Sequence, residues 1–219
     1  REAVSVVVRA LTRPHTAAHG CMLEAACGAG KTICALAIMS RMRRRTAVLV
    51  HKGFLLTQWR ERIAQFLPTA RVGVCQGPTC EVEDTDIVLV MIQSVCQNKY
   101  PPGTFDSVGL LVVDECHHLA ARYFQTSMRY FSADARLGLT ATANRADGLG
   151  FALHYFLGPT VYRIRRGGPE AGSGSTKVRV VRYRGGTRKE IRTRGRPDFT
   201  RMVTRQVQDD ERNSAIAQI

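Results

Sequence analysis

Short apolar runs alternate along this chain with stretches in which apolar residues recur every three or four positions. The runs are CMLEAA (21–26), TAVLVH (46–51), RVGVCQG (71–77), DIVLVMI (86–92), LLVVDE (110–115) and RLGLTAT (136–142). Each has the length of a strand and is rich in Val, Leu and Ile, and most are continuous, as strands covered on both faces require. Helical periodicity between them predicts helices over 31–42, 54–66, 119–131 and 145–157. In the first helix Ile33, Leu36, Ala37 and Met39 or Ser40 share one side. Strands and helices in alternation predict an α/β domain, a mostly parallel sheet with helices on both faces. Ligands of such sheets lie beyond the carboxyl ends of the strands, so the residues closing each run are the candidates for chemistry.

Three of those ends are informative. AACGAGKT (25–32) follows the first run and opens the first helix. It ends like the phosphate loop G-x-x-x-x-G-K-[ST] but has Ala25 at the first glycine position. Such a turn points backbone N–H groups at phosphate oxygens, with Lys31 to reach the outer phosphates and the Thr32 hydroxyl to ligate magnesium. Gly28 and Gly30 supply the flexible turn, and a Cβ at position 25 fits at the end of a strand. Taken alone, the eight residues are equally a chance G-K-T before a helix. The second end delivers Asp114 and Glu115 from LLVVDE, a costly placement unless they serve a cation or a water. In a nucleotide site Asp114 holds magnesium and Glu115 deprotonates the attacking water, whereas the bland alternative has both acids capping the following helix. The third end carries Thr140 and Thr142, whose alternation points both hydroxyls the same way.

The chain has 219 residues, 44% of them hydrophobic, enough for one well-buried domain with an extension. No apolar stretch approaches the roughly 20 residues that span a bilayer, and no signal-like start is visible, so the chain is read as soluble and without a membrane partner. The seven cysteines form no C-x-x-C pair, and several sit in apolar runs where a free thiol packs as a small hydrophobe. That usage predicts a reducing, intracellular compartment, nucleus or cytoplasm, and no zinc site. The net charge of +14 is concentrated, because residues 163–201 hold 13 Lys and Arg against 3 Asp and Glu. A polyanion partner is one use of such a segment, and a solvated linker around GGPEAGSGS is the other.

Together ACGAGKT, DECHH and TAT, in this order and spacing, resemble the first motor domain of superfamily 2 helicases of the DExH-box kind. The resemblance extends through VLVHKGFLLTQW and VMIQSV and covers residues 1–164. Within the superfamily, CGAGKT, VHKGFLLTQWRERI, VDECHH and NRADGL look most like the XPB-like DNA helicases, including relatives in large DNA viruses. It implies a RecA-like ATP-binding domain over 1–164, a basic linker or insertion over 165–200, and over 201–219 the lead-in to a second RecA-like domain. It implies ATP and Mg2+ as cofactors. Cys27, Gly28, Ala29, Gly30, Lys31, Thr32 and Ile33 are implied to hold the nucleotide, Thr32 and Asp114 the magnesium, and Lys31, Asp114, Glu115 and His117 to form the catalytic set. Thr140, Ala141 and Thr142 match the motif that couples hydrolysis to strand movement. Lys52, Gly53, Gln93, Ser94 and Arg145 are implied to lie near the nucleic-acid backbone. His118 has no implied role, and the helical spacing of Trp59 and Phe66 assigns both to the core.

Two departures bear on function. Ala143 stands where the family usually has proline, which loosens the turn after TAT. The arginines that a second domain supplies to the transition state lie outside this sequence, as does the adenine-reading stretch expected before Arg1. An isolated chain is therefore expected to bind ATP weakly and hydrolyse it poorly. The reading is an ATP-dependent motor acting on DNA; the alternatives are an RNA helicase of the same superfamily and a nucleic-acid-binding module whose ATPase has decayed.

Overall fold

A computed structural model describes residues 1–13, 20–98, 100–118, 121–141, 150–164, 190–193 and 196–217. Thr142 and Arg145 lie outside these residues. Two compact units divide the chain, Arg1–Gly168 and Pro169–Ile219.

In the first unit the chain runs through α1 (Glu2–Leu11), β1 (Gly20–Ala25), α2 (Lys31–Met42), β2 (Thr46–Val50), α3 (Gly53–Phe66), β3 (Val72–Gln76), β4 (Thr79–Cys80) and β5 (Ile87–Met91). It continues through α4 (Ile92–Asn98), β6 (Leu110–Val113), a 3-10 turn (Cys116–His118), α5 (Ala121–Met128), β7 (Ala135–Thr140), α6 (Gly150–Leu157) and β8 (Thr160–Ile164). The strands form one sheet in the order β4-β3-β5-β2-β6-β7-β1-β8. Every pairing in it is parallel except that of β3 with β4. The expected α/β architecture is therefore present.

Strand pleating explains the two cores. In β2, all of whose residues are buried, Val48 and Val50 join α1, α2 and α3 through residues such as Val7, Leu36 and Ile63. Ala47 and Leu49 point the other way, to Val95 of α4, Met128 of α5 and Leu153 of α6. Period-two alternation inside an all-apolar run is what a strand sandwiched between helix layers needs. Each fully buried aliphatic side chain contributes about 1.5–3 kcal/mol of transfer free energy.

β6 and β7 insert between β2 and β1, so the loops that follow β6, β7 and β1 finish side by side at one edge. α1 and β8 were not among the predicted elements: α1 packs on α2, β1 and β8, and β8 is a half-buried edge strand on β1. A correction concerns cysteine. Cys75 and Cys80 face each other across the β3–β4 hairpin and form a disulfide, whereas a reducing compartment implies free thiols throughout. The turn between the strands brings together two cysteines that a search for C-x-x-C passes over.

In the second unit β9 (Arg192–Thr193) pairs antiparallel with β10 (Arg196–Pro197), followed by α7 (Phe199–Val207) and α8 (Asp210–Ala217). The Asp198 carboxylate caps α7 by accepting from the Arg201 N–H at 3.0 Å, and Asp209 accepts from the Arg212 N–H at 2.9 Å. No described helix is long and apolar enough to cross a membrane.

Candidate nucleotide site

The first candidate loop leaves β1 at Ala25, which is buried, so the strand end accommodates its Cβ without a glycine. Gly28 and Gly30 adopt φ of +78° and +85°, a region that side chains disfavour, and nothing lies within 4 Å of where a Cβ would stand on either. The turn therefore presents backbone to open space. α2 starts directly on Gly30 with no side chain capping it, so the positive end of the helix dipole faces that space.

Lys31 begins α2 and is buried, 8% exposed. Its ammonium donates to the Ala25 carbonyl at 3.0 Å and lies 3.3 Å from Glu115 Oε1. That contact brings the tips of β1 and β6 together. Glu115 has φ of +47°, a strained backbone for a residue with a side chain, of the kind that persists where the surroundings enforce it. Its other oxygen, Oε2, stands 3.4 Å from His117 Nδ1, which in turn lies 3.0 Å from the Thr140 hydroxyl at the end of β7. A continuous line of polar contacts, Lys31 to Glu115 to His117 to Thr140, thus joins three strand ends. Ala141 follows half-buried.

Asp114 is 6% exposed and is held on both oxygens. Oδ1 accepts from the Glu115 N–H at 2.9 Å and Oδ2 from the Trp59 indole N–H at 2.8 Å. Burial raises its pKa above the usual carboxylate range; the Trp59 hydrogen bond opposes the rise and the neighbouring Glu115 charge adds to it. Burial likewise pushes the Cys116 thiol up to about 12, which makes it inert.

A cavity of about 610 Å3 opens over these groups. Cys27, Gly28, Gly30, Lys31, Thr32 and Ile33 line one side, and Asp114 and Glu115 another. Its hard oxygen donors, the Thr32 hydroxyl and the Asp114 carboxylate, suit Mg2+. A third wall comes from α3, through Phe54, Gln58, Arg62 and Phe66. These four recur every fourth residue and so share a face, while Leu56, Trp59 and Ile63 of the same helix are buried. Phe66 is 46% exposed, which corrects its assignment to the core; Trp59 is buried as expected, with its polar end committed to Asp114.

The residues implied for nucleic acid divide. Lys52 and Gly53 are exposed at the start of α3, with the Lys52 ammonium 5.9 Å from the centre of the Phe54 ring. Gln93 turns inward and donates to the His51 carbonyl at 2.9 Å. Ser94 is buried, and its hydroxyl accepts from the Gly77 N–H at 2.8 Å.

Known proteins resemble this chain in sequence and in fold. The family described as type III restriction enzyme, res subunit, matches residues 1–145. The chain is 32% identical over 143 residues to the Acanthamoeba polyphaga mimivirus protein named "Putative ATP-dependent RNA helicase L396", covering 65% of the chain and 27% of that protein. It is 35% identical over 142 residues to the DNA 3'-5' translocase XPB2 of Sulfurisphaera tokodaii, covering 62% of the chain and 30% of that protein. The chain thus spans less than a third of either relative. Among solved structures it resembles the Sulfolobus solfataricus SWI2/SNF2 ATPase core in complex with dsDNA, with a TM-score of 0.56 at 19% identity, over 72% of the chain and 34% of that one.

Proposed function

The chain belongs to the type III restriction enzyme res-subunit family, as a superfamily 2 helicase ATP-binding domain, and from that premise we propose that it is the ATP-hydrolysing part of a motor that moves along DNA. The observation that carries the proposal is the polar line from Lys31 through Glu115 and His117 to Thr140.

ATP lies with its phosphates against the loop of Cys27–Gly30, where the backbone N–H groups and the helix end favour negative charge. Lys31 neutralises the outer phosphates. Thr32 and Asp114 would hold Mg2+, which would offset charge on the phosphate oxygens. Glu115 orients and deprotonates the attacking water, with His117 behind it, its Nδ1 3.4 Å from Glu115 Oε2 and 3.0 Å from the Thr140 hydroxyl. Lys52 and Gly53, exposed after β2, meet the nucleic-acid backbone, while the inward Gln93 acts beside them by holding the His51 carbonyl and the buried Ser94 by holding the Gly77 N–H. Thr140, Ala141 and Thr142 couple hydrolysis to movement, and a second domain of the same fold supplies the arginines that complete the site.

DNA is favoured because the S. tokodaii relative is named a DNA translocase and the SWI2/SNF2 core was solved on dsDNA. The mimivirus relative's name keeps RNA as the second reading. The test is ATP hydrolysis by the full-length protein with single-stranded DNA, duplex DNA and RNA. Stimulation by DNA above RNA is expected; equal or greater stimulation by RNA overturns the substrate, and no stimulation by any of the three overturns the motor.

A further inference from the structure

We infer that Trp59 is a positioning residue for the magnesium site, acting through Asp114. The inference rests on the reading of Asp114 as the metal carboxylate.

Asp114 is buried just past the end of β6, at the wall of the cavity, and only two hydrogen bonds to its carboxylate are seen among the described residues. One comes from the main chain of its own neighbour, Glu115, and turns with it. The other comes from Trp59, 55 residues away on α3, at 2.8 Å. Only the second fixes the carboxylate against an independent element. Trp59 is itself held: it is 1% exposed, and Leu55, Leu56 and Ile63 anchor the same helix face in the core. Each carboxylate oxygen offers two lone pairs, so the indole N–H occupies one on Oδ2 and leaves another for a cation in the cavity. Partners of this kind around a metal ligand usually alter metal affinity by about 10–100-fold.

Two variants separate the hydrogen bond from packing. Trp59→Phe removes the donor and part of the ring, and 3-benzothienylalanine at position 59 keeps the indole's shape while replacing N–H by sulfur. ADP affinity is measured by calorimetry for the chain with and without Mg2+, beside Asp114→Asn. In the parent chain Mg2+ tightens ADP, and Asp114→Asn abolishes that gain. Both Trp59 variants are expected to lose about tenfold of the Mg2+ gain, while metal-free ADP affinity stays within about twofold, a pattern that loss of fold does not produce. A full Mg2+ gain in the benzothienyl chain overturns the inference, since packing alone then suffices. If Asp114→Asn keeps the gain, or the parent chain shows none, Asp114 is not the metal carboxylate, and the inference falls with that reading.

Discussion

Thr140→Val tests the polar line at its most buried point. Thr140 is fully buried and its hydroxyl lies 3.0 Å from His117 Nδ1. Valine replaces the hydroxyl with a methyl of similar size, so no cavity opens and the cost is that of the hydroxyl's contacts, with His117 and with the Cys116 thiol. Losing a bond of this kind and leaving the partner short of it costs about 1–2 kcal/mol. For a chain of this length that lowers Tm by roughly 2–8 °C. His117 then holds Glu115 without support from β7, and about 1.4 kcal/mol of lost orientation lowers kcat about tenfold. Thr140 does not line the nucleotide cavity, so KM for ATP should stay within about twofold. Nucleic-acid-stimulated hydrolysis on the full-length protein and a thermal melt measure both effects. Thr140→Ser serves as the control, because it keeps the hydroxyl and loses only a methyl. An unchanged kcat in Thr140→Val, or an equal loss in Thr140→Ser, refutes the claim that this hydroxyl supports the base.

Lys31→Ala should abolish detectable ATP binding, whereas Glu115→Gln should retain binding and slow hydrolysis by about 10²–10⁴-fold; fluorescent-nucleotide titration and single-turnover rates distinguish them, and parallel losses in both would contradict the separate roles. The raised pKa of Asp114 has a signed consequence: a carboxyl whose folded-state pKa exceeds its unfolded value adds stability below the unfolded pKa and loses it as pH rises through the folded one. The Tm of Asp114→Asn relative to the parent chain, without metal, should therefore climb as pH rises from about 4, and a difference in melts that stays flat above that pH would refute the shift. Reducing the Cys75–Cys80 disulfide, which closes a loop with a sequence separation of 5, should cost about 2 kcal/mol. Urea unfolding with and without dithiothreitol checks this, and coincident midpoints would show that the bridge does not constrain the chain.

Legibility in the sequence followed burial and locality. β2, β5 and β6 announced themselves because each is almost wholly buried, and a run of Val, Leu and Ile is hard to mistake. α1 was passed over although Val4, Val7 and Leu11 fall on one face and are buried, because VSVVVRA is dense in β-branched residues, whose local preference opposes the helix that packing on α2 and β1 selects. β8 carries little signal because an edge strand is only half-buried. Within the site, the loop glycines, Lys31, Asp114 and Glu115 were visible as local spacing. The Trp59 bond to Asp114 was not, because it spans 55 residues and helical periodicity reports only that Trp59 is inside. The same periodicity misplaced Phe66, where α3 runs beyond the core and turns an aromatic toward the cavity.

The contact of Lys31 with Glu115 also bears on how hydrolysis waits for nucleotide. The lysine that is to meet phosphate and the carboxylate that is to meet water hold each other at 3.3 Å, both largely shielded from solvent. A triphosphate brings several negative charges and acceptors to the loop, and so competes for the lysine on better electrostatic terms than one carboxylate. On the proposed reading, nucleotide arrival draws Lys31 away and frees Glu115, whose Oε2 stays 3.4 Å from His117 Nδ1. On the proposed reading the three strand ends act together: the loop after β1 meets phosphate, the turn after β6 carries the base, and the end of β7 stands behind that base through His117.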